Sequence, residues 1–377
     1  MNSSPRLAPS SRLSPGALGD GVRQSRIAGG ARLNGPPSLA GRAGDRIARP
    51  SAGNVNSFLG IRSPVVDRAG PSIARANLGG GINRSISVRP TWANVSANNV
   101  SAFHSRWQNA VVARPGLASP GVYNWPALYP HRTAYWAGWG AGVRPYWRQY
   151  HPGYHNWFGP IWWRNHPIAR AAWHYANALV RPPYYWWRVP VWAAVNTWFR
   201  WAPGPVWTRP IYYDYGPGGN VTYTDNVVYI DGQQIGTADE FAASAAELAT
   251  VPPPPSEEQA ATAEWMPLGT FAISAHEKEA NPTRVIQLAV NREGIVSGTL
   301  YNTATDQAYE VQGQVDKETQ RVAFRIGESP DIVFETGLYN LTQDEAPTLV
   351  HFGLGHTATY LLVRLEQPEE LPDEPLE

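Results

Sequence analysis

Apolar and polar residues alternate most regularly in the last third of the chain. Within Ala308–Val315, Tyr309, Val311 and Val315 share one face, and Glu310, Gln312 and Gln314 take the other. Within Arg321–Gly327, Val322, Phe324 and Ile326 oppose Arg321 and Arg325. A period of two is the signature of a strand with one apolar face. Comparable segments occur at Gly269–Ala275, Arg284–Asn291, Ile295–Asn302, Ile332–Leu341, Thr348–Leu354 and Thr357–Glu366. The links between them are short (Arg292-Glu293-Gly294, Asp316–Gln320, Gln343–Pro347), so sequence neighbours are expected to pair as an antiparallel meander with one dry and one wet face. Eight such strands close most simply into an up-and-down barrel, with a two-sheet sandwich as the alternative. Bulky inward Phe271, Phe324, Phe334 and Phe352 favour a filled interior over a cavity for a small apolar ligand.

Upstream, the period changes. Val100, Phe103, Trp107 and Val111 recur at three- and four-residue steps and predict an amphipathic helix over Val95–Ala113. Helices are also expected at Pro167–Val180 and Val191–Trp201, separated by breaker-rich runs such as YWAGWGAGVRPYW, YHNWFGPIWWRNHP and RPPYYWWRVPVW. Val221/Tyr223 and Val227/Tyr229 alternate, and Asp231-Gly232 signals a tight hairpin turn, so two or three short strands are predicted there. Thr237 and Glu240 have the spacing of a capping box before an Ala-rich helix over Phe241–Ala249. Pro252–Pro255 reads as a stiff spacer.

These patterns divide the chain as follows: a disordered Arg/Gly/Pro/Ser-rich arm (1–88), a Trp/Tyr/Arg-rich region of short helices (89–210) and a small hairpin-plus-helix unit (211–250). A Pro-rich linker (251–264), the all-β domain (265–366) and an acidic tail (367–377) complete it.

Composition sharpens the boundary near residue 210. The 377-residue chain has a net charge of only +1, yet residues 1–210 hold 24 Arg, no Lys and three acids (Asp20, Asp45, Asp67). The remaining 7 basic and 27 acidic residues follow, and 16 of the 17 Trp lie between Trp92 and Trp207. Cysteine is absent, which excludes disulfides, thiolate metal sites and thiol nucleophiles. No apolar run reaches the ~18 residues of a membrane span.

The chemistry readable from spacing is sparse. No G-x-S-x-G nucleophile elbow occurs, NLGGGIN has no strand before it and no Lys-Ser/Thr after it, and the paired carboxylates fall in turns or the tail. His151 and His155 are four apart, but Pro152-Gly153 breaks any helix that would align them. The expectation is therefore no catalytic residue, no cofactor and no metal site. Arg interleaved with rings also suits single-stranded nucleic acid, but the lack of Lys and of any RGG or RNP-like motif weighs against that partner. Exposed Trp and Tyr faces stack on sugars. The candidate polymer-binding residues are Trp136, Trp139, Trp147, Trp157, Trp162, Trp163, Trp186 and Trp187; the competing explanation is that these rings pack on one another.

The run YYDYGPGGNVTYTDNVVYIDGQQIGTADEFAASAAELATVPPPPSEEQ, followed by EWMPLGTFAIS, TRVIQLAVNREGIVSGTLYNT, VDKETQRVAFRIGES and ETGLYNLTQDEAPTLVHFG, resembles a family of planctomycete proteins labelled mu-protocadherin-like cell-surface proteins. The similarity runs from about residue 88 to 366 and includes the Trp-rich section. It implies a cell-surface or secreted, non-enzymatic protein and carries no catalytic residues across. The opening MNSSPRLAPSS shows no export signal, and no cadherin-type acidic calcium repeat is present. The expected role is a structural or adhesion-like envelope protein contacting a polysaccharide or other surface polymer. A ligand-binding barrel and a nucleic-acid binder are the alternatives.

Overall fold

The computed structural model describes residues 86–112, 128–151, 154, 156–166, 184–199, 209–252, 262–279 and 281–368. The arm over 1–85, the helix expected at Pro167–Val180, the centre of the Pro-rich linker and most of the acidic tail lie outside them.

Eight antiparallel strands form a closed barrel: β4 (Trp265–Ser274), β5 (Arg284–Asn291), β6 (Ile295–Asn302), β7 (Gln307–Val315), β8 (Arg321–Ile326), β9 (Ser329–Gly337), β10 (Glu345–His351) and β11 (Thr357–Arg364). Each strand pairs with the next, and β11 returns to β4 with Leu362 opposite Ile273. The meander is thus a barrel, and every one of the eight expected segments contains a strand. The inward set follows the predicted alternation: Ile286, Leu288, Val290, Leu300, Val311, Val322, Phe324, Phe334, Val350 and Leu362 form one buried cluster. Phe324 and Phe334 stack with centroids 5.3 Å apart. Gly313 on the neighbouring strand makes this stack fit, because a Cβ there would collide with the backbone and Cβ of Phe324. Side chains from all eight strands meet in this interior cluster.

Both ends of the barrel are occupied. At one end a short helix, α4 (Trp192–Trp198), places Val195 in the interior cluster, followed by Phe199. Arg292 covers the Trp198 ring at 4.1 Å and donates to the Trp198 carbonyl at 2.9 Å. At the same end Arg364 turns inward over Phe271 and donates to the carbonyls of Leu268, Leu341 and Gln343. Burial pushes its guanidinium down to about 10. At the other end the Arg284–Glu328 pair (3.1 Å) is largely buried.

The outward face departs from expectation. It is not wet: Glu310, Gln312, Arg321 and Arg325 are all buried. The cause is a jacket made from the rest of the chain. Helix α1 (Ala97–Val112) buries Val100, Phe103, Trp107 and Val111, the face that its spacing predicts. A three-stranded sheet, β1 (Val221–Thr224), β2 (Val227–Ile230) and β3 (Gln233–Thr237), shares a core with α1 and with Leu349 of the barrel wall. Asp231 and Gly232 take positive φ (49° and 80°) as the hairpin signal requires, and Asp225-Asn226 makes a second turn of the same kind. Helix α5 (Ala238–Leu248) begins with the expected Thr237/Glu240 capping box. Its Ala245 and Ala246 pack on Ala323 and Val333 of the wall, where small side chains permit close approach.

YWAGWGAGVRPYW is not a breaker-rich link. It lies in the 21-residue helix α2 (Pro130–Tyr150), which contains three glycines and Pro145. Trp136, Trp139, Val143 and Trp147 fall on one side of that helix and bury against the barrel. Burial of rings of roughly 150–250 Å² each outweighs a glycine penalty of about 1 kcal/mol apiece. A further helix, α3 (Pro160–Asn165), and a 3-10 turn (Tyr185–Trp187) sit in the other two breaker-rich runs.

The candidate aromatic site

The predicted ring cluster does come together, as a wall rather than as an open platform. Trp136, Trp139, Trp147, Trp162, Trp163, Trp186 and Trp187 are each at most 6% exposed. They pack on Trp265, Ala272, Val285, Ala289, Tyr301, Leu361 and Val363, the outward residues of β4, β5, β6 and β11. Two of the indole N–H groups reach partners across this packing: that of Trp139 donates to Ser274 Oγ at 2.8 Å, and that of Trp136 donates to Asp214 at 3.1 Å. The faces of these seven rings are taken up by protein. Seven of the eight candidates thus have the packing that the sequence offered as the alternative.

Trp157 differs. It is half-buried, edge-on to Trp147 (5.6 Å, 83°) and to Tyr301 (5.2 Å, 73°). Tyr146, Tyr154, Tyr184 and Tyr185 are likewise only partly covered and rim the cluster. Beside them runs a shallow groove lined by Arg144, Trp147, Arg148, Tyr154, Leu365 and Glu366. His151 lies flat on Trp147 at 4.5 Å, and burial lowers its pKa, favouring a neutral ring. Across the rim Arg188 sits over Tyr185 at 5.0 Å.

Opposite charges join the two halves of the chain. Arg89 pairs with Glu247, His104 with Asp316 and Glu318, Arg106 with Glu240, Arg132 with Asp214, Arg144 with Glu345, Arg148 with Glu366, and His166 with Asp306. Each joins the basic first half to the acidic second half. Among the described residues, part of the charge asymmetry is thus used as an internal clamp. The strongest member is Arg132, whose Nε and Nη2 both bond the fully buried Asp214 carboxylate while the guanidinium covers Trp136 at 4.8 Å. Burial pushes the Asp214 carboxyl up, and Arg132 only partly offsets that.

Two groups went unseen in the sequence because spacing carries no trace of them. The first is a buried triad on the outer wall, Arg321, Glu335 and His351, roofed by Trp107 and Phe241. The second is His104, facing Asp316 and Glu318 across more than two hundred residues. The hydrogen bond to Asp316 raises the His104 pKa to about 9, against the opposing effect of burial.

No protein-family model, no curated protein and no solved structure matches this chain, so the reading of the site rests on its own geometry.

Proposed function

We propose that this chain is a non-enzymatic structural protein of the cell surface whose folded body contacts a surface polymer at the rim of its aromatic jacket. The observation that carries the reading is the division of labour among the rings. Seven Trp are consumed in packing, whereas Trp157, Tyr146 and Tyr154 keep partial exposure beside a groove bordered by Arg144 and Arg148. A sugar ring needs an aromatic face or edge, and these partly covered rings supply one. The resemblance to planctomycete cell-surface proteins supports the location.

The test is co-sedimentation of the full chain with isolated cell envelope, comparing wild type with Trp157→Ala and Arg148→Ala. A several-fold loss of retention with unchanged melting supports the rim as the contact; full retention in both variants refutes it. The closed eight-stranded barrel favours one second reading, a carrier of a small apolar ligand. A thermal-shift screen of the full chain with apolar ligands decides it, since a ligand binding only the native state at a hundredfold excess over Kd adds about 2.7 kcal/mol.

A further inference from the structure

We propose that His104, Glu318 and Asp316 form a site for a divalent transition-metal cation, which staples helix α1 to the β7–β8 turn. His104 Nε2 and Glu318 Oε2 face each other at 2.8 Å. With metal–ligand bonds of about 2.1 Å, that separation subtends roughly 84° at a cation between them, near the right angle of octahedral coordination.

The second ring nitrogen is held from behind. Asp316 Oδ2 lies 3.2 Å from His104 Nδ1, the carboxylate–histidine arrangement that fixes the tautomer and raises ligand basicity at metal sites. Asp316 is itself immobilised: it accepts from Thr319 Oγ1 at 2.5 Å and from the Glu318 backbone N–H at 2.9 Å. Its side chain is 9% exposed, whereas that of Glu318 is 58% exposed, so the open side of the site faces solvent and leaves positions for water. Two carboxylates around one imidazole set up a negative potential that a ring proton satisfies in part and a dication satisfies more fully. Binding releases that proton to buffer. An imidazole with carboxylate oxygens suits Zn2+, Co2+ or Mn2+ rather than a thiophilic ion.

The experiment is isothermal titration of full-length, chelator-stripped protein with Zn2+ at pH 8, with Tm measured with and without the ion. The expected result is one saturable site and a raised Tm. His104→Gln should weaken binding at least tenfold and Glu318→Gln several-fold, with His131→Gln, an exposed histidine elsewhere, unchanged. Glu318 is exposed enough that its Gln variant folds, which keeps the test decisive if His104→Gln is destabilised. No saturable binding, or a site unchanged in Glu318→Gln, overturns the proposal.

Discussion

Arg321 and Glu335 sit on adjacent strands of the barrel's outer wall, fully buried, joined by two parallel hydrogen bonds of 2.9 Å. The arginine's third nitrogen, Nη1, donates to Ser244 Oγ at 2.8 Å, and its flat face lies 4.3 Å from the Trp107 ring centre. Burial alone would push the Glu335 carboxyl up, but Arg321 and then His351 outweigh it and leave it below its ordinary value. A sequence-level alternation that seems to point these charges at water points them at α1 and α5 instead.

Breaking this pair singly leaves an uncompensated buried charge. Arg321→Met or Glu335→Leu is expected to cost about 3–5 kcal/mol, whereas the double replacement should recover most of that loss, since an apolar pair fits beneath Trp107 and Phe241. Urea denaturation of the four proteins, followed by tryptophan fluorescence, gives the coupling energy. Additive losses would mean the two charges do not act as a pair.

Gly269 is where β4 bulges, with φ at +113°, and a Cβ there would collide with the Arg364 guanidinium. Gly269→Ala should therefore cost about 1–3 kcal/mol in backbone strain and displace Arg364 from the carbonyls it caps. A lowered denaturation midpoint, with Arg364→Met adding little on top, is the expected pattern. Full additivity would show that the glycine and the arginine act separately.

The rings divide into two classes with opposite expected phenotypes. Trp162→Ala and Trp187→Ala each empty a buried site and should lose about 3–5 kcal/mol, so any loss of envelope retention in them would follow from unfolding. Trp157→Ala should change stability much less and retention more. Melting curves and co-sedimentation on the same preparations separate the two, and a Trp157→Ala protein as unstable as Trp162→Ala would remove the distinction.

What the sequence makes legible follows from what is local. Arg284–Asn291 and Ile295–Asn302 are recovered residue for residue as β5 and β6, and the Thr237/Glu240 cap lies where its spacing puts it. These features depend on alternation and on hydrogen bonds spanning a few residues. The α2 helix was hidden because its glycines and Pro145 argue locally for a break, although Trp136, Trp139, Val143 and Trp147 already have helical spacing. The function of the rings was hidden for a different reason. Whether a Trp faces a sugar or a barrel wall depends on what covers it, and Leu361, Val363 and Tyr301 are more than a hundred residues away. The ion pairs are equally non-local, so the charge asymmetry was visible and its use was not.

The His104 clamp gives stability a defined pH dependence in the metal-free protein. The hydrogen bond to Asp316 raises the folded-state pKa to about 9, above the ordinary ~6.5 of an unfolded histidine. The folded state therefore holds its proton more tightly, and the contribution is fully present below about pH 6.5 and fades as pH rises through about 9. The ring is one-third exposed, so solvent screening reduces the effect to on the order of 1 kcal/mol, or a few degrees in Tm. Asp316 titrates in the opposite sense, its pKa lying below the usual value under the influence of His104, and that contribution is lost only in acid. Wild type should thus lose Tm between pH 6.5 and 9.5 by more than His104→Gln does. Parallel Tm–pH curves for the two proteins across that window would show that His104 carries no proton-linked stability.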